Sequence, residues 1–333
     1  MAIVKAFKAW RPTQNSFKDI ISVPYDVIDS AEALKLAENK PNSFLHVIRP
    51  EIDLPENTDI YSEEVYRKGK ENLDSLLSSS DFLQEENDAL YLYKLTWKGR
   101  SQSGIFGCVS TREYDEDIIL KHELTRPDKE DDRTKHIMTQ QAHAEPVMIT
   151  FDDTEGISDA MKKIESLDPV YNVMMDEVEH TIWKINEPSS FVDSFCKIKN
   201  LYIADGHHRC ASASRTAKLM SSQNPAHSGN EAYNFFPAVI FPMQQMEILA
   251  YNRIVFSIPD NFIAQIEKNL SIKKTESSVP DRKGTVCIYL KDQWYSVLLP
   301  ESSKNDVASN LDVARLQEFI LEPHLVIFRL LVA

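Results

Sequence analysis

Residues 201–222 read LYIADGHHRCASASRTAKLMSS and carry the strongest structural signal in the chain. The first five residues are mostly apolar and predict a short strand, whereas the residues from His207 onwards are good helix formers. Gly206 lies between the two elements. The chain contains only 8 glycines, so a glycine here indicates a backbone that must turn tightly. The stretch therefore predicts a strand, a glycine turn and a helix in direct succession.

The polar residues at this turn have the chemistry of an anion-binding site. Asp205 is placed to cap the helix, and the first amides of a helix point outwards at the positive end of its dipole. Such an end binds phosphate, and Arg209 can add a bidentate grip. His207 and His208 can donate hydrogen bonds or carry protons. The alternative is an ordinary capped helix whose histidines belong to the polar surface.

A second polar cluster precedes and enters a predicted helix at 127–144. His122 and Glu123 stand at the end of a predicted strand, and Asp132 and Arg133 lie early in the helix. Carboxylates here can hold Mg²⁺ or act as a general base, while the alternative is a solvated helix face. If the two clusters share one cleft, Glu123 and Arg133 face the glycine turn.

Two further features are weaker. Residues 23–28, VPYDVI, contain a proline turn in which Asp26 can accept hydrogen bonds, although an ordinary aspartate turn explains the pattern as well. His136, Gln140 and His143 continue a polar stripe down the predicted helix at spacings of three and four. These side chains extend the second cluster along one helix face.

The rest of the chain alternates predicted strands and helices, which indicates an α+β fold. Aromatic and β-branched residues at 89–97 and 104–111 predict a hairpin. Other strands are predicted at 115–122, 145–151, 177–185, 233–241, 247–256, 285–290 and 294–299, and other helices at 60–78, 156–167, 187–199, 260–268 and 311–321. We expect mixed sheets with packed helices in two lobes, 1–150 and 151–333. The apolar end of the chain, EFILEPHLVIFRLLVA (318–333), predicts either a buried final strand or a truncated chain.

Composition restricts the function. The net charge of −14 disfavours a nucleic-acid partner, because phosphate neutralisation needs clustered lysine and arginine. No apolar run is long enough to predict a membrane span, and the N-terminus does not resemble a signal peptide. The 4 cysteines are far apart, which disfavours zinc ribbons and disulfides and favours a cytoplasmic location. Nothing in the composition indicates the oligomeric state.

Several segments resemble, in the same order, domain-of-unknown-function family 1015, and together they span most of the chain. They are VPYDVI (23–28), HELT (122–125), the DR pair (132–133), AHAEPVMITF (142–151), ADGHHR (204–209) and LDVARLQEFILEP (311–323). Members of that family continue past the last segment with more sheet. The resemblance therefore implies that this chain is truncated relative to the family.

The DGHHR element also resembles the ParB/sulfiredoxin-like fold, and within it the free-serine kinases most closely. This implies a ParB/sulfiredoxin-like core with an additional α/β lobe, in which the turn presents nucleotide phosphates to the helix. Sulfiredoxins have a cysteine where this chain has His207, and ParB-like proteins have Glu-Arg-Arg where it has His-His-Arg. Neither sulfiredoxin chemistry nor DNA partitioning is therefore expected.

We expect a small-molecule phosphotransferase that uses ATP or ADP with Mg²⁺ and phosphorylates a small hydroxyl compound, free L-serine being one candidate. Glu123 or Asp205 would act as the base, His207 and His208 would hold phosphate or substrate, and Asp132 would bind Mg²⁺. The residues expected to bind the nucleotide are Gly206, Arg209, Arg133 and His122. Two alternatives stay open: a non-catalytic nucleotide- or anion-binding module, and a metal-dependent phosphohydrolase built on Asp205, His207 and His208.

Overall fold

A computed structural model describes residues 2–250, 252–304 and 306–325. Within it the chain divides into two compact units, Met1–Ile248 and Leu249–Ala333. The predicted lobe boundary at residue 150 does not coincide with this division. It falls inside a central strand of unit 1, because strands from both predicted lobes interleave in one sheet.

The strands of unit 1 are β1 (Val4–Lys5), β2 (Trp10–Pro12), β3 (Phe82–Gln84), β4 (Leu90–Trp97), β5 (Arg100–Ser110), β6 (Ile119–Leu120), β7 (Val147–Phe151), β8 (Tyr171–Met175), β9 (Val178–Ile185), β10 (Leu201–Asp205) and β11 (Phe235–Pro242). Its helices are α1 (Phe17–Ile20), α2 (Ser30–Ala37), α3 (Leu45–Ile48), α4 (Glu63–Ser78), α5 (Thr111–Asp115), α6 (Pro127–Gln140), α7 (Ile157–Glu165), α8 (Ser189–Phe195) and α9 (His207–Gln223).

Unit 2 has strands β12 (Ser271–Thr275), β13 (Thr285–Leu290) and β14 (Gln293–Leu298), with helices α10 (Phe262–Glu267), α11 (Asp312–Leu316) and α12 (Glu322–Leu325). The strands form an antiparallel sheet in the order β12-β14-β13. Phe262 and Ile266 of α10 pack against Val297 of β14 and Ile320 to form the core of this unit. Ile320 lies in a π-helical turn, Gln317–Leu321, that separates α11 from α12.

A mixed sheet organises unit 1, which confirms the predicted α+β class. In the described part of the chain this sheet has 9 strands in the order β6-β10-β7-β11-β5-β4-β9-β8, and β1 pairs with the far end of β5. The β6–β10 and β7–β11 pairs are parallel and the others are antiparallel. Since β10 runs antiparallel to β7, Asp205 at the end of β10 lies opposite Met148 near the start of β7. This pairing brings the glycine turn beside the segment that enters β7.

One face of the sheet carries the main core. Alternate residues point to one side of a strand, and in β7 these are Val147, Ile149 and Phe151, all buried. Helices cover this face, with Met161 of α7 and Phe195 of α8 in the same cluster. α9 joins the cluster through its first turns, so the helix that begins at the glycine turn is held rigidly against the sheet.

Several local predictions differ from the structure. The segment predicted as a strand at 115–122 is strand only at Ile119–Leu120, because Asp117 adopts a left-handed turn with φ of 53°. No strand forms over the described residues of 247–256. The apolar run at 318–333 predicts a buried final strand or a truncated chain. Residues 326–333 of this run lie outside the described part of the chain.

None of the helices in the described ranges combines the length and the apolar character that crossing a bilayer requires.

Candidate functional site

The glycine turn has the geometry that its sequence predicts. Gly206 has φ of 95° and ψ of 33°, a left-handed conformation, and occupies the N-cap position of α9. A Cβ atom here would lie 3.0 Å from Val147 Cγ1 and 3.1 Å from Arg209 Nε. Both the backbone angle and the crowding require glycine at this position.

Asp205 does not cap α9, so that part of the prediction is wrong. The structure shows no side-chain hydrogen bond at the N-cap. The carboxylate instead accepts a hydrogen bond from Arg209 Nη2, one helical turn along. Because the left-handed Gly206 takes the N-cap place, Asp205 is set one residue too early to reach the amides of the first turn.

Arg209 connects the turn to two other segments. Its Nη1 donates to the carbonyl oxygen of Pro146, and Nη2 lies 3.8 Å from a carboxylate oxygen of Asp26. Asp26 belongs to the VPYDVI segment, which the fold therefore brings to this site. The guanidinium is already paired, and an anion that binds it competes with Asp205 and Asp26.

His207 and the HELT segment meet directly. His207 Nδ1 lies 3.2 Å from Glu123 Oε2, and the ring of His122 packs edge-on against His207 with 4.4 Å between centroids. His207 is only 4% exposed, and its Nε2 has no hydrogen-bond partner among the described residues. Burial and the neighbouring His122 lower the pKa of His207, while Glu123 opposes the shift. The imidazole is therefore neutral near pH 7.

His208 holds the loop that precedes α6. Its Nε2 accepts a hydrogen bond of 3.0 Å from the backbone amide of Arg126. An accepting Nε2 places the ring proton on Nδ1 in the neutral imidazole. His208 therefore joins α9 to the start of α6, and this nitrogen is already used.

Asp132 is a buried anchor whose two oxygens are both occupied. Oδ1 accepts from the Tyr66 hydroxyl at 3.0 Å, and Oδ2 accepts from Arg133 Nε and Nη2 at 2.9 and 2.7 Å. The residue is 8% exposed. Both oxygens of this buried carboxylate therefore already accept hydrogen bonds, and its role as a Mg²⁺ ligand stays a prediction. Asp132 holds Arg133, whose guanidinium also stacks 4.1 Å from the ring centre of Tyr25.

Arg133 and Arg209 line the same pocket, whose cavity volume is about 40 Å³. Its walls also contain His136, His143 and Glu145. Burial lowers the pKa of His136 to about 3 and that of His143 to about 4, so both rings are neutral hydrogen-bonding groups. The pocket therefore combines two guanidinium groups, one carboxyl group and two neutral imidazoles.

The fold thus brings together most of the residues that the sequence predicts. Glu123 and His122 reach His207 at the glycine turn, and Arg133 shares a pocket with Arg209. Asp132 contacts Arg133 through Oδ2 and Tyr66 of α4 through Oδ1, and it is not part of the pocket lining. Within the described ranges, no group of three or more histidine, cysteine, aspartate or glutamate side chains is arranged to hold a metal ion.

Sequence reasoning missed two residues of the site, Glu145 and Tyr25. Glu145 Oε1 accepts a hydrogen bond of 3.0 Å from the backbone amide of Tyr25. The available signal was a lone acidic residue immediately before a buried strand. That signal is weak, because only the pairing of β7 with β10 shows what the residue faces.

A family model described as "Protein of unknown function (DUF1015)" matches residues 4–314. No curated protein and no solved structure matches the chain. The comparisons therefore do not support a ParB/sulfiredoxin-like core or a kinase, both of which stay predictions.

Proposed function

We propose that this chain, which belongs to the DUF1015 family, is a small-molecule phosphotransferase. The geometry of its site supports this proposal. The observation that carries the proposal is the meeting of Arg133 and Arg209 in one pocket beside the N-terminus of α9. Phosphoryl transfer depends mainly on positioning the reactants and neutralising charge, with one base for the attacking hydroxyl. Two arginines, a glycine-opened helix end and nearby carboxylates are groups that meet these needs.

The phosphate-binding groups would be the first amides of α9 and the two arginines. Gly206 adopts the left-handed backbone angle at the helix end without strain, and a Cβ atom there would crowd Val147 and Arg209. Arg133 is held by Asp132 through Nε and Nη2, and its Nη1 makes no hydrogen bond to the described residues. Arg209 can exchange Asp205 for a phosphate, since the Asp205 side chain is 64% exposed and can turn to solvent. His122, His207 and His208 frame the same turn.

The pocket suits a small acceptor better than a nucleotide. Its lining includes apolar side chains and two neutral histidines, which can hydrogen-bond hydroxyl groups. We propose a small hydroxyl compound as the acceptor, with free L-serine as one candidate, and ATP or ADP as the donor. Mg²⁺ would accompany the nucleotide phosphates, since both oxygens of Asp132 already accept hydrogen bonds from the protein.

The test is a screen of small hydroxyl metabolites with ATP and with ADP, followed by phosphorus NMR. We expect a new phosphomonoester resonance that depends on the protein and on one acceptor. Nucleotide binding without transfer to any acceptor would favour the non-catalytic binding module. If neither nucleotide binds, the phosphotransferase proposal is wrong.

The metal-dependent phosphohydrolase is the less favoured alternative. Two of its three proposed ligands are already engaged: Asp205 pairs with Arg209, and His208 Nε2 accepts from the Arg126 amide. Metal analysis of the purified protein distinguishes the two functions, because tightly held zinc, manganese or iron would support the hydrolase.

A further inference from the structure

Glu145 is the only carboxylate among the described residues that line the pocket. Glu123 and Asp205, the two bases that the sequence offers, are not part of that lining. Glu123 is paired with His207, and Asp205 with Arg209. A base must lie within hydrogen-bond reach of the proton that it removes. For an acceptor inside the pocket, this requirement favours Glu145.

The position of Glu145 is fixed through one oxygen only. Oε1 accepts from the Tyr25 amide at 3.0 Å, and the structure shows no other hydrogen bond or ion pair to this carboxylate within its described ranges. The Tyr25 turn is itself held by Arg49, whose Nε donates to the Tyr25 carbonyl at 2.9 Å. Oε1 is therefore an anchor, and Oε2 is left to receive a proton.

We propose that Glu145 is the catalytic base of this site, an inference that rests on the proposed phosphotransferase function. The acceptor hydroxyl oxygen forms a bond to the terminal phosphorus of the nucleotide as the bond from that phosphorus to the bridging oxygen breaks. The nucleotide leaves with one phosphate fewer and takes the electron pair of the broken bond. The hydroxyl proton passes to Glu145 Oε2 and then to solvent.

The electrostatic surroundings of Glu145 suit this role. Burial raises its pKa, and Asp26 adds to the rise, while the Tyr25 amide, Arg209 and Arg133 oppose it. A carboxylate with a raised pKa is a stronger base than an ordinary glutamate. His136 of α6 and His143 of the same loop also line the pocket, and both are neutral, so they add no charge that titrates near pH 7.

The decisive variant is Glu145→Gln, which keeps the shape of the side chain and an oxygen for the Tyr25 amide. We expect kcat to fall by roughly 10²–10⁴-fold, the range typical of a lost general base. The nucleotide Kd should stay within about twofold of wild type, since the phosphates bind the arginines and the helix end. The wild-type kcat/KM should fall as the pH drops through the raised pKa of Glu145, and the variant should lack this acidic limb.

Glu113→Gln is the matched control. Glu113 is also a buried carboxylate, its pKa is also raised by burial, and it accepts one backbone amide, that of Ile3 at 2.8 Å. It is not part of the pocket lining. Glu113→Gln should therefore leave kcat and the pH profile unchanged. Glu145→Asp, which keeps a carboxylate at shorter reach, should retain part of the activity and the acidic limb.

The outcomes separate this inference from the function on which it rests. If Glu145→Gln has the same kcat as the wild type and Glu123→Gln is inactive, the base is Glu123. That result would overturn the inference while the proposed function stands. Failure of the wild-type protein to phosphorylate any acceptor would overturn both. If Glu145→Gln unfolds, Glu145→Asp decides: partial activity that keeps the acidic limb, with an unchanged nucleotide Kd, supports the inference, and full activity without the acidic limb contradicts it.

Discussion

At the scale of single residues, Arg209 links three segments that are distant in the chain. Its guanidinium donates to Asp205 and to the Pro146 carbonyl and lies 3.8 Å from Asp26. These partners hold it at the pocket wall with its side chain 14% exposed. A guanidinium that is already oriented loses little freedom when it binds a phosphate, although Arg209 must exchange a carboxylate to do so.

Arg209→Ala tests whether this side chain binds the nucleotide. A charge-assisted hydrogen bond contributes roughly 1.5–3 kcal/mol, so we expect the affinity for ATP or ADP to fall by about one to two orders of magnitude. The measurement is calorimetry at low salt, where charge interactions are least screened. Arg215→Ala is the control, because Arg215 lies on the same helix but pairs with Asp131 on the surface. Equal affinity in wild type and Arg209→Ala would show that the turn is not the phosphate site.

At the scale of secondary-structure elements, the hairpins share one type of turn. Their two loop residues both have positive φ, as in Asp176 (48°) and Glu177 (65°) between β8 and β9, and Lys291 (49°) and Asp292 (61°) between β13 and β14. This geometry matches the twist of the strands, and it normally calls for Asn-Gly or Asp-Gly. Neither Asp176-Glu177 nor Lys291-Asp292 contains a glycine, so the sequence does not mark these turns. Strand β8 is accordingly absent from the sequence-based prediction.

Glu177→Gly should therefore stabilise the protein. A side chain in the left-handed region costs the folded state roughly 1–2 kcal/mol, which glycine avoids. Glycine also has greater conformational freedom in the unfolded chain, which offsets part of this gain in stability. We expect a net gain of about 1 kcal/mol, or roughly 2–4 °C in Tm for a unit of this size. Thermal unfolding followed by circular dichroism measures the shift. The control is Glu179→Gly in the extended backbone of β9, which should lower Tm. A lower Tm in Glu177→Gly would contradict the strain argument.

At the scale of the whole molecule, two separately packed cores are joined by a segment without regular structure. The described residues of 247–256 form neither helix nor strand, and Ile248 and Phe256 are 99% and 98% exposed. Apolar side chains this exposed contribute nothing to either core. Exposed irregular segments are the preferred sites of proteolytic cleavage.

Brief digestion with chymotrypsin should therefore cut first after Leu249 or Phe256. The expected products are two fragments that correspond to the two compact units, identified by intact mass. Replacing Leu249, Phe256 and Tyr251, which is a further chymotrypsin site in this segment, with serine should slow the cleavage. We expect the thermal unfolding to stay the same, because Leu249 and Phe256 are not buried. A first cut after Leu124, which is 79% exposed in the loop before α6, would contradict the prediction.

Short-range interactions explain what could be predicted from the sequence alone. The succession of β10, Gly206 and α9 depends on local propensity and on one backbone angle, and both are visible within about twenty residues of sequence. The same holds for α6, where a proline at the first turn and acidic residues behind it mark the start. That Glu123 faces the glycine turn was predicted from the chemical needs of a shared cleft and not from local sequence, and its Oε2 lies 3.2 Å from His207 Nδ1.

Only the tertiary structure decided which of these polar groups face the pocket. In the sequence Asp132 has the character of an available metal ligand. In the structure one of its oxygens accepts a hydrogen bond from Tyr66, which is distant in the chain. Glu145 looks like the ordinary first residue of a predicted strand, and only the place of β7 between β10 and β11 brings it to Arg133 and Arg209. The predicted lobe boundary at residue 150 falls inside β7 for the same reason, because a strand has no local signal for the neighbours it pairs with. Strand order and side-chain partners depend on long-range packing, and long-range packing is not encoded in any one stretch of the chain.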